Sequence, residues 1–511
     1  TVVTFVGTPE AVCEAAFQGA RASAELIDMR RQHGTHPRSG AVDVLPLVPV
    51  SGITLEECAR LARNLAERMY KELGIACYCY EASAFRPERR NLAVCRAGEY
   101  EALPEKISDP ERRPDFGPDT FTEAVAKSGA SNVGARNFLI AVNFNLNTTD
   151  TRLANAVAFD VREKGRKVVK DGEEVWVRGP LKGCKALGWY IEEYGIAQVS
   201  MNITDIDATP LHVAFDEVCE KASKRGVRVT GAEIVGLVPK KVLIDAAKYY
   251  LAKQHRSLGI DEKEMVKIAI KSMGLDDLKP FNAEEKVIEY LLEKEDTTPK
   301  LVDMTCTGFA NETASESPAP GGGSISAYMG SLGAALGTMV ANLSSHKPGW
   351  DSKWEFFSKW AEKGQQVKDQ LLALVDEDTN AFNVIMNAFG MPKKSPEEKA
   401  ARKQAIQDAT KYATEVPMRT IETSFQVFEI CEAMIKKGNP ASVSDAGVGV
   451  LCARAAIHGA YLNVKINASS LEDKEYAAMM INKAHEYVVK ADRIEKSLMK
   501  KTEFVIDNPS K

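Results

Sequence analysis

EYLLEKEDTTPK, residues 289–300, is where this 511-residue sequence changes character. Upstream, short β-branched or aromatic runs alternate with amphipathic stretches. Downstream the strand signal nearly disappears, and apolar residues recur at three- and four-residue spacing. Residues 291–300 therefore read as a linker between an α/β or α+β half and an all-helical bundle covering residues 301–511. Strands are expected at 1–6, 75–81, 138–145, 197–203 and 227–234, and helices at 53–73 and 211–225. FLIAVNFNLNTTD (138–150), with the helix, basic excursion (KVVKDGEEVWVR, 167–178) and strand that follow it, repeats the rhythm of the first half. This places a seam near Ala135 and two subdomains at 1–135 and 136–290. In the bundle, helices are expected at 323–343, 354–389, 396–437 and 472–501, separated by the breaks PGW, GMP and KGNPAS.

The length calls for several compact units rather than one core. Apolar residues make up 44% and charged residues 27%, the balance of a globular protein. With 66 basic against 71 acidic residues the net charge is −5, which argues against nucleic acid and anionic membranes as partners and leaves small molecules. Ten scattered cysteines read as reduced thiols in a cytoplasmic protein without disulfides. Cys77 and Cys79 share a strand face but lack the second close pair that a tetrahedral metal site needs, so no metal is expected. TVVTFVGTPE has no signal-peptide pattern and reads as a start inside a strand. Residues 325–340 are apolar but short of the ~20 that cross a bilayer, so an internal helix rather than a membrane span is expected.

Candidate chemistry in the first half centres on His33 and His36, on a Gly- and Pro-bearing loop that feeds an apolar run. A neutral imidazole titrates near working pH and can both accept and donate a proton in acyl-type transfer, although either residue could equally be an ordinary hydrogen-bonded loop histidine. RAGEYEALPEKI (96–107) and PDFGPDTFTEAVAKSGASNVGARNF (114–138) supply exposed loop backbone able to wrap a flat polar ring or a carboxylate, with Arg136 as an anion clamp; connector loops have the same make-up.

In the second half, Gly321, Gly322, Gly323 and Ser324 open a helix, where free N–H groups and the helix dipole favour an anion; a merely flexible entry is the alternative. Gly330, Ala334, Gly337 and Ala341 leave one face of that helix thin enough for another backbone to approach. In DQLLALVDEDTNAFNVIMNAF (369–389), Asp378 interrupts the apolar stripe Leu371, Leu374, Val375, Phe382 and Ile385. A carboxyl directed into an apolar bundle resists ionisation, so its pKa should rise into the range a general acid needs, while Asp376 should face solvent. The bland alternative is a buried Asp378 paired with a base such as Arg454. Asn439, Ser442, Ser444 and Asp445 precede Arg454, Asn463 and Asn467, and helix capping alone could account for the first four. His212, His255, His346, His458 and His485 are too dispersed for a metal site, and no Walker, Rossmann or HExxH motif occurs.

HGTHPRSGAVDVLP, RAGEYEALPEK, DFGPDTF, GARNFLIAVNFNL, GWYIEEYGIAQVSMNI and EIVGLVP, in that order, resemble the formimidoyltransferase family over residues 1 to about 290. SPAPGGGSISA, LVDEDTNAF and GAYLNVKIN resemble the cyclodeaminase family over about 300–505, and together they resemble the fused formimidoyltransferase-cyclodeaminases. The resemblance implies a transferase half of two ferredoxin-like subdomains followed by a helical-bundle cyclodeaminase. It selects His36 of the HPR motif as the transferase acid/base and Asp378 as the cyclodeaminase catalyst. It puts folate contacts on the loop 117–129, a few residues longer here than in the family, with Gly117, Pro118, Asp119, Thr120, Phe121 and Gly129. The family begins some tens of residues earlier, with a strand and an acidic residue behind the histidine, so the transferase half as written is expected to be incomplete. Tetrahydrofolate, polyglutamylated, is the implied co-substrate and N-formimidoyl-L-glutamate the donor, in a homo-oligomer expected to be a dimer-based ring. A methenyltetrahydrofolate cyclohydrolase bundle behind a folate-binding half, or a non-catalytic folate scaffold, are the competing expectations.

Overall fold

The computed structural model describes residues 3–33, 38–295 and 298–508. The chain forms two compact units, one of residues 1–242 and 273–289, the other of residues 243–272 and 290–511.

In the first unit, α1 (Pro9–Leu26) begins where Thr8 accepts the Ala11 N–H at 3.4 Å and Pro9 takes the first helical position. Of the strand expected at 1–6, residues 3–6 are described, and they join none of the sheets. β1 (Val44–Leu47), α2 (Leu55–Leu73), β2 (Ala76–Glu81) and β3 (Ala130–Ala135) follow. α2 is fixed at its ends by a Thr54–Glu57 capping box and by Gly74 at φ 70°. The sheet order is β1-β3-β2, parallel throughout, with Tyr78 opposite Asn132. One face packs Phe17, Ala62 and Met69 against Cys77, Cys79 and Val133; the other packs Tyr78 and Tyr80 against Leu103, Ile107 and Val125. All ten cysteines are free thiols, and burial pushes Cys79 up to about 12.

β4 (Ile140–Leu146), α3 (Thr151–Val161), β5 (Arg166–Lys170), β6 (Glu173–Val177), β7 (Cys184–Ile191), β8 (Ile196–Ile203), α4 (Leu211–Ser223) and β9 (Val229–Val235) come next in this unit. The second sheet runs β7-β8-β4-β9, antiparallel at every pairing. Residues alternate across it. Ala197, Val199, Met201 and Ile203 are buried on one side, while the other side is polar, with Gln198 Nε2 donating to Asn145 Oδ1 at 2.8 Å. The basic excursion is the β5–β6 hairpin, turned at Asp171 and Gly172, both at positive φ (53° and 85°) as a tight hairpin turn requires.

The second unit is a helical bundle: α5 (Gly322–Ser345), α6 (Trp354–Gly390), α7 (Pro396–Lys437), α8 (Val443–Ser469) and α9 (Lys474–Asp507). α5 is its central helix, and its glycines set the spacing. A methyl on Gly337 would lie 2.8 Å from Ile430 Cγ2 on α7, and one on Gly333 2.9 Å from the Gly449 carbonyl on α8. By length and composition α5 could cross a membrane, but 61% of its apolar window is buried inside the bundle, as in a core helix. Residues 243–272 pack with the bundle: Leu258 N–H donates to Ser358 Oγ at 2.9 Å, and Asn342 Nδ2 donates to the Gly259 carbonyl at 2.9 Å.

Candidate active sites

The bundle places Asp378 two-thirds of the way along α6, just past the buried Leu371, Leu374 and Val375. Beyond it the stripe turns outward: Phe382 is 39% exposed and Ile385 only partly buried, so the apolar stripe read from the sequence stops one turn short. Asp378 meets the first turn of α5. Ser324, 0% exposed, presents its hydroxyl to Asp378 Oδ2 at 3.1 Å, to the Val375 carbonyl at 2.9 Å and to Thr379 Oγ1 at 3.3 Å. A hydroxyl has one proton, so it serves the carboxylate and the carbonyl in alternation. Burial lifts the Asp378 pKa above the ordinary aspartate value, and the Ser324 hydroxyl and backbone N–H hold it back in part.

Gly323 is required here because any Cβ would collide with the Asp378 carboxyl, and a methyl on Gly322 would stand 3.3 Å from Asn463 Nδ2. The triglycine entry is thus packed against a carboxyl of the protein's own, in the place where the helix dipole favours an anion. Arg454 does not pair with Asp378; it holds Asp492 at 2.8 Å and approaches Glu495 at 4.0 Å. Asp376 departs from expectation: it is half-buried and accepts the Leu301 N–H at 2.6 Å, fixing the chain that enters the bundle. Glu377, which the sequence reading passed over, accepts from Tyr412 at 2.8 Å and from Arg419 Nη1 at 3.1 Å. Asn467 donates to the Ala413 carbonyl at 2.6 Å, and Asn439 caps the turn before α8 through the Ala441 N–H.

His36 lies outside the described residues, with Gly34, Thr35 and Pro37. The described ends of its loop are tied together: Arg38 donates from Nε and Nη2 to the Gln32 carbonyl at 3.2 and 2.9 Å, and Nη2 also reaches Glu101 at 2.6 Å. His33, Arg38, Gly98, Glu99 and Glu101 line a cleft of about 410 Å³ there. Glu99 sits at φ 58°, ψ −153°, a strained conformation for a side-chain-bearing residue. The sequence reading quoted that segment but did not single out its acids; no side-chain pattern announces a positive φ at a non-glycine position.

Gly129, the far end of the candidate folate loop, has φ 71° and room for no side chain, since a methyl would stand 2.5 Å from Gly40 Cα. Ala130 N–H donates to Ser39 O at 2.9 Å and Ala41 N–H to Ser128 O at 2.8 Å, so this loop is stitched to the residues leaving the HPR motif. Asp119 and Thr120 are exposed, Gly117 and Pro118 half-buried, and Phe121 rests on the Tyr78 cluster. Arg136 directly follows β3, with Nη1 donating to the Asn137 carbonyl at 3.0 Å. Among the described residues no group of three or more His, Cys, Asp or Glu side chains is arranged to hold a metal ion.

Comparison with known proteins matches three family descriptions along the chain: Formiminotransferase domain, N-terminal subdomain, at residues 1–136; Formiminotransferase domain at 141–293; and Formiminotransferase-cyclodeaminase at 305–486. The chain is 41% identical over 506 residues to the Formimidoyltransferase-cyclodeaminase of Gallus gallus, covering 98% of this chain and 91% of the relative. A stretch of 251 residues is 42% identical to the Glutamate formimidoyltransferase of Streptococcus pyogenes, 49% of this chain and 79% of the relative. A stretch of 173 residues is 39% identical to the Methenyltetrahydrofolate cyclohydrolase of Methylorubrum extorquens, 34% of this chain and 83% of the relative. The two tied loops of the first unit and the desolvated carboxyl of the second therefore sit in a chain that belongs to the formimidoyltransferase-cyclodeaminase family.

Proposed function

We propose that this protein carries out two consecutive steps on one carbon. In the first, N5 of tetrahydrofolate attacks the amidine carbon of N-formimidoyl-L-glutamate. His36 accepts the N5 proton and returns it to the glutamate nitrogen as the C–N bond breaks and glutamate leaves. In the second, N10 attacks the same carbon within 5-formimidoyltetrahydrofolate, Asp378 protonates the departing amine, and 5,10-methenyltetrahydrofolate and ammonia result. Ring closure is intramolecular, so holding N10 over the carbon supplies much of the rate. The observation that carries this is the Asp378 carboxyl, raised by burial and cradled by Ser324 and Gly323: a carboxyl that holds its proton more tightly than an ordinary aspartate suits amine expulsion. The loop 117–129 and Arg136 would hold the folate in the first step. Gly321, Gly322, Gly323 and Ser324 line the second site beside the catalyst.

Supplying formimidoylglutamate and tetrahydrofolate and following methenylfolate absorbance together with ammonia tests both steps; methenylfolate without stoichiometric ammonia contradicts the second. The likeness to a cyclohydrolase favours one rival, a bundle that hydrolyses the methenyl bridge and releases no ammonia.

Further parts of the proposal are a polyglutamylated folate, a cytoplasmic location and the division of the chain at 135, 290 and 300. A ferredoxin-like second subdomain is supported by the succession β4-α3-β7-β8-α4-β9 in the order β7-β8-β4-β9. A homo-oligomer, as a dimer-based ring, is supported by an uncovered apolar face on α5 (Leu332, Met339, Leu343) and α8 (Val448, Leu462, Ile466).

A further inference from the structure

Asp378 reaches the entry of α5 from one side, and a second polar side chain reaches it from another. A methyl on Gly323 would collide with the Asp378 carboxyl, while one on the preceding Gly322 would stand 3.3 Å from Nδ2 and 3.9 Å from Oδ1 of Asn463. Successive residues of a helix point about 100° apart, so the carboxyl from α6 and the carboxamide from α8 flank the first turn of α5. Gly322 between them is exposed and Asp378 and Asn463 are half-buried, so bare backbone separates two polar groups that a ligand can reach. A glycine on α8 makes this approach possible. A methyl on Gly459 would collide with Ser326 Oγ, which donates to the Gly322 carbonyl at 2.6 Å, so α8 lies directly against the start of α5. Asn463 follows one helical turn later.

The two asparagines of this stretch are used differently. Asn467 ties α8 to α7 through the Ala413 carbonyl at 2.6 Å. Asn463 makes no tie between helices among the described residues: its Nδ2 donates to the Gly459 carbonyl of its own helix at 2.9 Å, and its Oδ1 has no partner. That one bond fixes which end of the carboxamide is the amine, and it leaves the oxygen as an acceptor beside Gly322. An asparagine inside a helix forgoes propensity relative to a residue such as alanine, and here it returns no contact between helices. A carboxamide oxygen differs from a carboxylate in one respect that matters beside Asp378: it accepts a hydrogen bond without adding a negative charge that would alter the acid.

The geometry points to Asn463 as a further residue of the deaminating site, and the inference rests on the second step proposed above. Its Oδ1 accepts a hydrogen bond from an N–H of the departing nitrogen and so turns that nitrogen's lone pair toward Asp378. On ring closure the N10 proton passes to the amidine nitrogen, and Asp378 supplies one more. The C–N bond then breaks with its electron pair on the nitrogen, ammonia leaves, the methenyl carbon carries the positive charge, and the Asp378 carboxylate regains its proton from solvent. Asn463 exchanges no proton. Its hydrogen bond strengthens as positive charge builds on the nitrogen, so it favours the transition state over the bound substrate.

Ammonia release from supplied 5-formimidoyltetrahydrofolate by the full chain tests this, with circular dichroism and a thermal melt on each variant. Asn463→Leu keeps the approximate shape and removes the acceptor; Asn463→Ala removes both. Each should lower kcat by about tenfold to a hundredfold, as loss of one hydrogen bond to a charged group requires, with KM little changed and glutamate release in the first step at the parental rate. Asn463→Asp keeps an acceptor and should retain more activity than Asn463→Leu. Its added negative charge opposes ionisation of Asp378, so the alkaline limb of its pH profile should move to higher pH. Parental kcat in either folded variant, Leu or Ala, overturns the inference, as does loss of the fold in both, which would make Asn463 structural. A loss confined to KM overturns it as well. If the parent itself releases no ammonia, the proposed second step fails and takes this inference with it; if the parent releases ammonia and the variants match it, the inference alone fails.

Discussion

Asp378 and Ser324 form a two-residue device whose parts can be separated by substitution. Asp378→Asn keeps the shape and removes the acid, so ammonia release from supplied 5-formimidoyltetrahydrofolate should fall by roughly 10²–10⁴-fold. Stability should move the other way. Burial raises the folded-state pKa of Asp378 above its unfolded value, so the folded state binds the extra proton; this contribution is fully present at acid pH and is lost as pH rises through the folded-state pKa. The variant suffers no such loss, and its Tm relative to the parent should rise toward neutral pH; a Tm that drops at every pH would contradict a strained, desolvated carboxyl. Ser324→Ala probes the other partner. The Ser324 hydroxyl stabilises the ionised carboxylate, so removing it raises the Asp378 pKa further, and the alkaline limb of the deamination profile should shift to higher pH. A limb that stays in place would reduce Ser324 to packing.

Helix α5 shows how an element made of small residues positions chemistry. Because Gly330, Gly333 and Gly337 let α7 and α8 come close, the first turn of α5 is held rigidly against α6, where Asp378 lies. Gly337→Leu should therefore cost stability by overpacking, roughly 1–3 kcal/mol, read as a lower denaturation midpoint; an unchanged midpoint would mean that α7 yields freely. Three of the four bundle helices expected from periodicity end within two residues of where they were expected and α9 runs six residues further, because a 3.6-residue stripe and Gly/Pro breaks are local signals. The same holds for β2, β4, β8 and β9. The position of Asp378 at the end of the buried stripe was legible for that reason, being a property of one helix. Asp376 was misread because its partner, the Leu301 N–H, is distant in sequence, and no helical wheel contains a loop. Residues 3–6 form no strand for a related reason, since β-branched residues make a strand only where a neighbour completes the ladder. The tie from Arg38 to Glu101, 63 residues on, is likewise tertiary, and no local pattern around the two histidines announces it.

At the scale of the whole molecule, the proposal assigns two proton transfers to two residues 342 positions apart, His36 and Asp378, each in its own compact unit. If the labour is divided in this way, each step survives loss of the other. His36→Ala should release no glutamate from formimidoylglutamate and tetrahydrofolate, yet cyclise added 5-formimidoyltetrahydrofolate at the parental rate. Asp378→Asn should release glutamate at the parental rate and accumulate the formimidoyl intermediate without ammonia. Mixing the two variants should then restore methenylfolate formation, because the intermediate made by one is a substrate for the other. A lag should precede it, shortening as protein concentration rises, since the intermediate must reach its steady concentration in free solution. Glutamate, ammonia and methenylfolate absorbance followed in the same vessel read every step. If either variant loses both activities while keeping its fold, or if the mixture stays silent although each half-reaction works alone, the two residues do not act on successive steps of one carbon.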